Sequence, residues 1–222
     1  MNLLYGLEQL GRVDTPLLPD LALAQLWLHL GWGLVLAWLA GTVAGWWTTR
    51  RGPAFVLALL LFASAWLPDP YSPAYWLGLA FQLPSAATVL LCALLLWRRA
   101  RKVPVWWKNR RSAPARELVW LVMAAVVLGW LLLLDSFAQL PVQLYAWGFS
   151  PLAVAVLALL ALLPWWAGGP HNHRLPAWVA PCAVLLFVTL RLPTGNVWDA
   201  VLDPWLWVAL QVYLVRVLFR RY

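Results

Sequence analysis

Carboxylates beside aromatic rings are the residues of this chain best suited to chemistry. Asp69, Asp135, Asp199 and Asp203 each stand at or near a break between apolar runs, close to Tyr71, Tyr75, Trp76, Tyr145, Trp147, Trp198 or Trp205. An aromatic ring stacks on the apolar face of a sugar while a carboxylate accepts its hydroxyl protons, and two acids can serve as general acid and base. The same residues also have plainer duties. Asp20 and Asp203 suit helix N-caps, Asp69 and Asp135 suit turns, and tryptophan suits the membrane interface. Asp199 directly follows Trp198 and has no evident capping duty. Asp69, Tyr75, Trp76, Asp135, Trp147, Trp198 and Asp199 are therefore candidate contacts for a partner or a glycan, and no residue is assigned to catalysis.

Other chemistry finds little support. The sequence has no HExxH, no GxSxG with a following His, no Walker loop and no CxxC. His29 is alone in its apolar run, whereas an intramembrane b-type haem would want facing histidines. His171 and His173 sit in the turn GGPHNHR beside Arg174 and read as solvated. Cys92 and Cys182 fall inside apolar runs, too few for a disulfide framework or a metal cluster. No cofactor and no metal is expected, and the chain leans away from being an enzyme.

The elements that must position these residues are apolar runs. Hydrophobic residues make up 64% of the 222 and charged ones 11%, far from the roughly 45–50% and 25% of soluble domains. The runs are oriented by Trp97–Arg116, WRRARKVPVWWKNRRSAPAR, which holds eight of the sixteen Lys and Arg residues. Each such residue costs about 2.5–3.5 kcal/mol at the centre of a bilayer, so this loop stays in the cytoplasm. Arg98, Arg99, Arg101, Lys102, Lys108, Arg110 and Arg111 are the candidates for contact with anionic headgroups. The formal charge of +8 is explained by these short loops, and nucleic acid is not expected as a partner.

Taken in order, residues 1–20 form an outer leader without a signal-peptide pattern, and residues 21–222 form one polytopic membrane domain. Spans are expected at about Leu21–Trp47, Ala54–Leu67, Ser85–Trp97, Leu118–Leu134, Leu152–Trp166 and Ala177–Leu192, with a seventh opening at Asp203-Pro204. Tyr75–Leu83 reads as a short interfacial helix, and Ser136–Phe149 and PTGNVWDAVLD as further outer segments. Thirteen basic residues and one acid, Glu117, fall in the assigned cytoplasmic segments, against seven acids and two arginines outside. The N-terminus is thus outside and the C-terminus inside. The nineteen tryptophans divide between interfacial belts (Trp46-Trp47, Trp106-Trp107, Trp165-Trp166) and packing within spans (Trp32, Trp38, Trp120, Trp130).

The second and sixth spans share the pattern LLFx[ST]x[WR]LP, at Leu60–Pro68 and Leu185–Pro193. Residues 21–97 and 150–222 are therefore candidate parallel repeats joined by a linker helix at 118–134, a 3+1+3 plan. Leu, Ala and Trp dominate the chain, so matches of this length also arise by chance.

The fold class is an all-α integral membrane protein of about seven short transmembrane helices with interfacial helices on the outer face. Compactness and minimal loops point to a bacterial inner membrane. The expected function is a non-catalytic subunit of an inner-membrane assembly, with the lipid bilayer and other membrane or periplasmic proteins as partners. The alternatives are a transporter or flippase-like protein for an amphipathic or sugar-bearing substrate, and an enzyme acting on lipid-linked glycans. Few polar residues fall near the expected midplane, which weighs against a path for ions or hydrophilic solutes.

Overall fold

The computed structural model describes residues 16–47, 51–101, 116–166 and 177–219. Most of the leader, the centre of the basic loop with Lys102, Lys108, Arg110 and Arg111, the HNH turn and the basic C-terminal end lie outside the described residues. Among the described residues the chain is all-helical.

The helices are α1 (Leu21–Trp47), α2 (Arg51–Ser64), α3 (Pro73–Phe81), α4 (Ala86–Ala100) and α5 (Arg116–Ser136). They continue with α6 (Leu144–Trp147), α7 (Pro151–Trp166), α8 (Val179–Leu190), α9 (Val197–Val201) and α10 (Pro204–Phe219). Two stretches, Leu21–Trp47 and Leu118–Ser136, are long and apolar enough to cross a membrane by length and composition. Four more apolar helices are shorter, at Gly52–Ser64, Pro151–Leu163, Val179–Leu190 and Pro204–Phe219.

Side-chain oxygens start these helices where the sequence places polar residues ahead of apolar runs. Asp20 Oδ1 accepts from Ala22 N at 2.9 Å and Leu23 N at 3.3 Å. Ser72 caps α3, Ser85 caps α4 by accepting from Thr88 N, and Asn196 caps α9. Ser150 Oγ accepts from Ala153 N at 3.3 Å and Asp203 Oδ1 from Leu206 N at 2.8 Å, satisfying otherwise unpaired first-turn donors. The starts of α1, α4, α7 and α10 gather at one end of the bundle with the short helices α3, α6 and α9, and we call it the capped end.

The core lies toward that end. Phe187 and Val197 are completely buried, in one cluster with Trp27, Ala86, Val89, Leu157, Val184 and Trp198. Small residues let α1 approach its neighbours: Ala37 and Ala40 pack with Ala58 of α2. A Cβ at Gly31 would lie 2.7 Å from Pro84 Cγ. Helix α1 packs on α2, α3 and α4; α8 on α4, α7 and α9; and α5 on α6, α7 and α10.

The outside of the bundle is apolar. Large side chains stand exposed along α2 (Phe55, Leu59, Leu60), α5 (Trp120, Val127, Trp130), α7 (Leu152, Leu159) and α10 (Val208, Val215). Trp46 and Trp47 are exposed at the far end of α1. Ser72, Ser85, Ser150 and Asn196, by contrast, are buried.

Candidate functional site

Two polar assemblies occupy the capped end. The first joins the segment before α7 to the segment around α9. Asp135 Oδ2 accepts from Tyr145 N at 2.7 Å, closing the first turn of α6. Asp199 Oδ2 accepts from Tyr145 Oη at 2.8 Å and from Thr194 Oγ1 at 2.5 Å. Asn196 Nδ2 donates to Tyr145 O and Trp198 Nε1 to Leu144 O, each at 3.0 Å. The backbone closes the same seam, with Val197 N donating to Gly148 O at 2.9 Å. Only glycine fits at 148, where a Cβ would collide with Asn196 Oδ1 and Trp198 Cδ1.

Burial raises the Asp199 carboxyl above its ordinary value, and the hydroxyls of Thr194 and Tyr145 partly offset this by stabilising the anion. The Tyr145 phenol is pushed up by burial, then by the charge of Asp199 and the hydrogen bond to it. An acid so occupied, with a phenol held protonated beside it, is arranged to hold two segments together rather than to exchange protons with a substrate.

The second assembly is a groove of about 630 Å³ between the first third of α1, the turn before α3, α3 itself and Thr194. Its polar lining is Gln25, His29, Asp69, Tyr75, Gln82 and Thr194, and its apolar wall is Leu28, Gly78, Leu79 and Leu83. His29 Nδ1 lies 2.7 Å from Ala65 O, which also accepts from Ser72 Oγ at 2.7 Å. A carbonyl only accepts, so Nδ1 carries the proton, which makes Nε2 the acceptor of the neutral ring. The imidazole stacks on Trp66 with centroids 5.7 Å apart. Gln82 is held at φ 63°, ψ −154°, by Gln82 N donating to Gly78 O and by Trp32 Nε1 donating to Gln82 O.

The seven contact candidates therefore part company. Asp69 and Tyr75 line the groove. Trp76 stands beside it, 58% exposed, packed edge-on against Tyr75 and donating from Nε1 to Pro70 O at 2.7 Å. Asp135, Trp198 and Asp199 are engaged within the chain, and Trp147 is half-buried against the core. At the opposite end Arg98 is buried, at 6% exposure, while Arg101 is exposed and stacks over Trp97. The Arg99 guanidinium lies against Gly41 and Gly45 of α1.

Sequence reasoning missed two features. Indole N–H groups serve as clamps on backbone carbonyls: Trp27 on Pro84 O at 3.0 Å, Trp32 on Gln82 O at 3.0 Å and Trp207 on Val126 O at 3.1 Å. Asp203 also reaches across the bundle, its Oδ2 accepting from Ser85 N at 3.0 Å and Thr88 Oγ1 at 2.5 Å. The surplus of tryptophan and the LPS and LDP starts of α4 and α10 were the available signals, but neither names its partner. Among the described residues no three His, Cys, Asp or Glu side chains converge as a metal site. Comparison with family models, with curated proteins and with solved structures finds no match for this chain.

Proposed function

We propose that the chain is a multi-pass protein of a bacterial inner membrane and a non-catalytic subunit of a larger assembly, docking a membrane or periplasmic partner at its capped end. The observation that carries the membrane part is the inverted surface, above all along α5. Trp120, Met123, Val127, Trp130, Leu131, Leu133 and Leu134 are all exposed on this one apolar helix. Water-soluble monomers rarely expose contiguous apolar patches beyond a few hundred Å², so lipid or protein must cover it. In this reading α1, α2, α4, α5, α7, α8 and α10 are the seven spans. At 1.5 Å per residue the 14-residue α2 reaches only about 21 Å against a hydrocarbon core of about 30 Å, and its flanks supply the rest. The basic loop puts the capped end outside.

The 3+1+3 duplication draws support from the matching order in both halves: a capped short helix (Ser72 on α3, Asn196 on α9) followed by a capped span (Ser85 on α4, Asp203 on α10). The hydrogen bond from Ser85 N to Asp203 sets two of these equivalent positions against each other. Packing departs from strict copies, because α1 packs on α4 whereas α10 packs on α5.

The docking face narrows to Asp69, Tyr75 and Trp76, since Asp135, Trp147, Trp198 and Asp199 are built into the chain itself. Purification from native membranes in mild detergent tests this. The wild-type chain brings a stoichiometric partner, and Trp76→Ala with Asp69→Asn loses it while the protein level holds. A monodisperse chain without companions overturns the subunit reading. A second reading, a carrier or enzyme for a sugar-bearing amphiphile, is favoured by one observation, the polar groove beside α3.

A further inference from the structure

We propose that this groove binds the hydroxyl-rich headgroup of a sugar, free or lipid-linked. The proposal rests on the bilayer placement of the capped end and on no docked partner. Sugar hydroxyls donate and accept at once, and the lining offers both capacities: two carboxamides (Gln25, Gln82), a phenol (Tyr75), a carboxylate (Asp69) and an imidazole (His29). The side-chain polar atoms of Gln25, Asp69, Tyr75 and Gln82 make no hydrogen bond to other described residues, so they are available to a ligand. Leu28, Leu79 and Leu83 supply an apolar wall for the C–H face of a ring. Among the described residues neither Lys nor Arg lines the groove, and Asp69 adds negative charge. Phosphate and carboxylate ligands are therefore disfavoured, and a neutral polyol is not. A volume of about 630 Å³ lies within the ordinary range of small-ligand pockets, roughly 300–1,000 Å³.

Gln82 is the second, independent sign. Its backbone lies at φ 63°, ψ −154°, a region essentially reserved for glycine, and such strain gathers at ligand sites. A glycine would sit there without cost, yet the chain carries a carboxamide on the groove wall. The strain and the side chain thus make opposite demands, and one substitution separates them.

The test uses the full-length protein in phosphatidylcholine nanodiscs, with thermal unfolding followed by tryptophan fluorescence. The probes are diglucosyl diacylglycerol in the bilayer, maltose in the buffer, and phosphatidylglycerol as the anionic control. The glycolipid is expected to raise the unfolding midpoint of the wild type. Gln82→Gly is expected to unfold no earlier than the wild type without probe, yet to bind about tenfold more weakly, as suits the loss of one polar contact. Gln25→Ala, at an exposed position of α1, should weaken binding similarly and serves if Gln82→Gly does not fold. Stabilisation by the glycolipid alone assigns the site to a lipid headgroup, and equal stabilisation by maltose assigns it to free sugar. No shift with either sugar, an equal shift with phosphatidylglycerol, or unchanged binding in both variants overturns the proposal. Labelling of Tyr71→Cys from outside intact cells reports the membrane placement separately, so failure of that reading is distinguishable from failure of sugar binding.

Discussion

At the scale of single residues, Asp20, Asp135, Asp199 and Asp203 are explained by what their oxygens accept. Asp203 has two tasks: Oδ1 caps α10, and Oδ2 holds the start of α4 through Ser85 N and Thr88 Oγ1. The first was legible, because Asp-Pro ahead of an apolar run is a helix start. The second was not, because the partners lie 118 and 115 residues away in sequence. Asp203→Ala is expected to cost more than the 0.5–2 kcal/mol or so of an ordinary cap, since Ser85 N is also orphaned. Asp203→Asn keeps one acceptor oxygen and should cost less, and chemical denaturation in detergent ranks the two.

Asp199 adds a pH dependence of known sign. Its folded carboxyl is raised by burial, so the folded state holds this proton more tightly than the unfolded chain does. The associated stability is full below the ordinary value of 3.8 for Asp199 in the unfolded chain, and it is lost as pH rises through the higher folded value. Asp199→Asn should flatten this part of the profile, read as the unfolding midpoint followed upward from the ordinary value of 3.8. An unchanged profile would show that Asp199 is not the group responsible.

At the scale of elements, α6 and α9 are too short to persist alone and exist because they hold each other. Four bonds join them or their flanks: Val197 N to Gly148 O, Asn196 Nδ2 to Tyr145 O, Trp198 Nε1 to Leu144 O and Tyr145 Oη to Asp199. Gly148 permits the approach. Gly148→Ala should destabilise by about 1–3 kcal/mol through overpacking, seen as a lowered unfolding midpoint. A midpoint equal to wild type would mean that the seam yields at little cost. The long elements were legible because hydropathy and caps act locally: α1 runs over Leu21–Trp47 as expected, and α7 opens at Ser150-Pro151. The seam and the groove were not, because each depends on which carbonyl an indole or carboxamide from a distant segment meets. Composition placed Tyr145, Trp147 and Trp198 at an interface, and nothing local said that much of that interface lies within the chain.

At the scale of the whole molecule, the proposed seven-span topology depends on the bilayer, and one asymmetry orients it. Eight of the sixteen basic residues fall in Trp97–Arg116, while Asp20, Asp69, Asp135, Asp199 and Asp203 fall at or near the capped end. Each basic residue near an anionic surface is worth about 1 kcal/mol, so the loop as a whole outweighs the single arginines elsewhere. Tyr71 is 78% exposed at the capped end, so a cysteine there should react with an impermeant thiol reagent in intact cells. A cysteine at Ser112, within the basic loop, should react only after the membrane is opened. Replacing Arg98, Arg99, Arg101 and Lys102 together should then produce mixed orientations, read by a reporter fused after Tyr222. Arg98 sharpens that experiment, because it is buried in the bundle whereas Arg101 is exposed. If Arg101→Ala and Lys102→Ala disturb orientation while Arg98→Ala lowers stability without doing so, the loop anchors the topology and Arg98 belongs to the packing. Labelling at Ser112 in sealed cells would reverse the orientation of every helix and put the groove beside α3 on the cytoplasmic side.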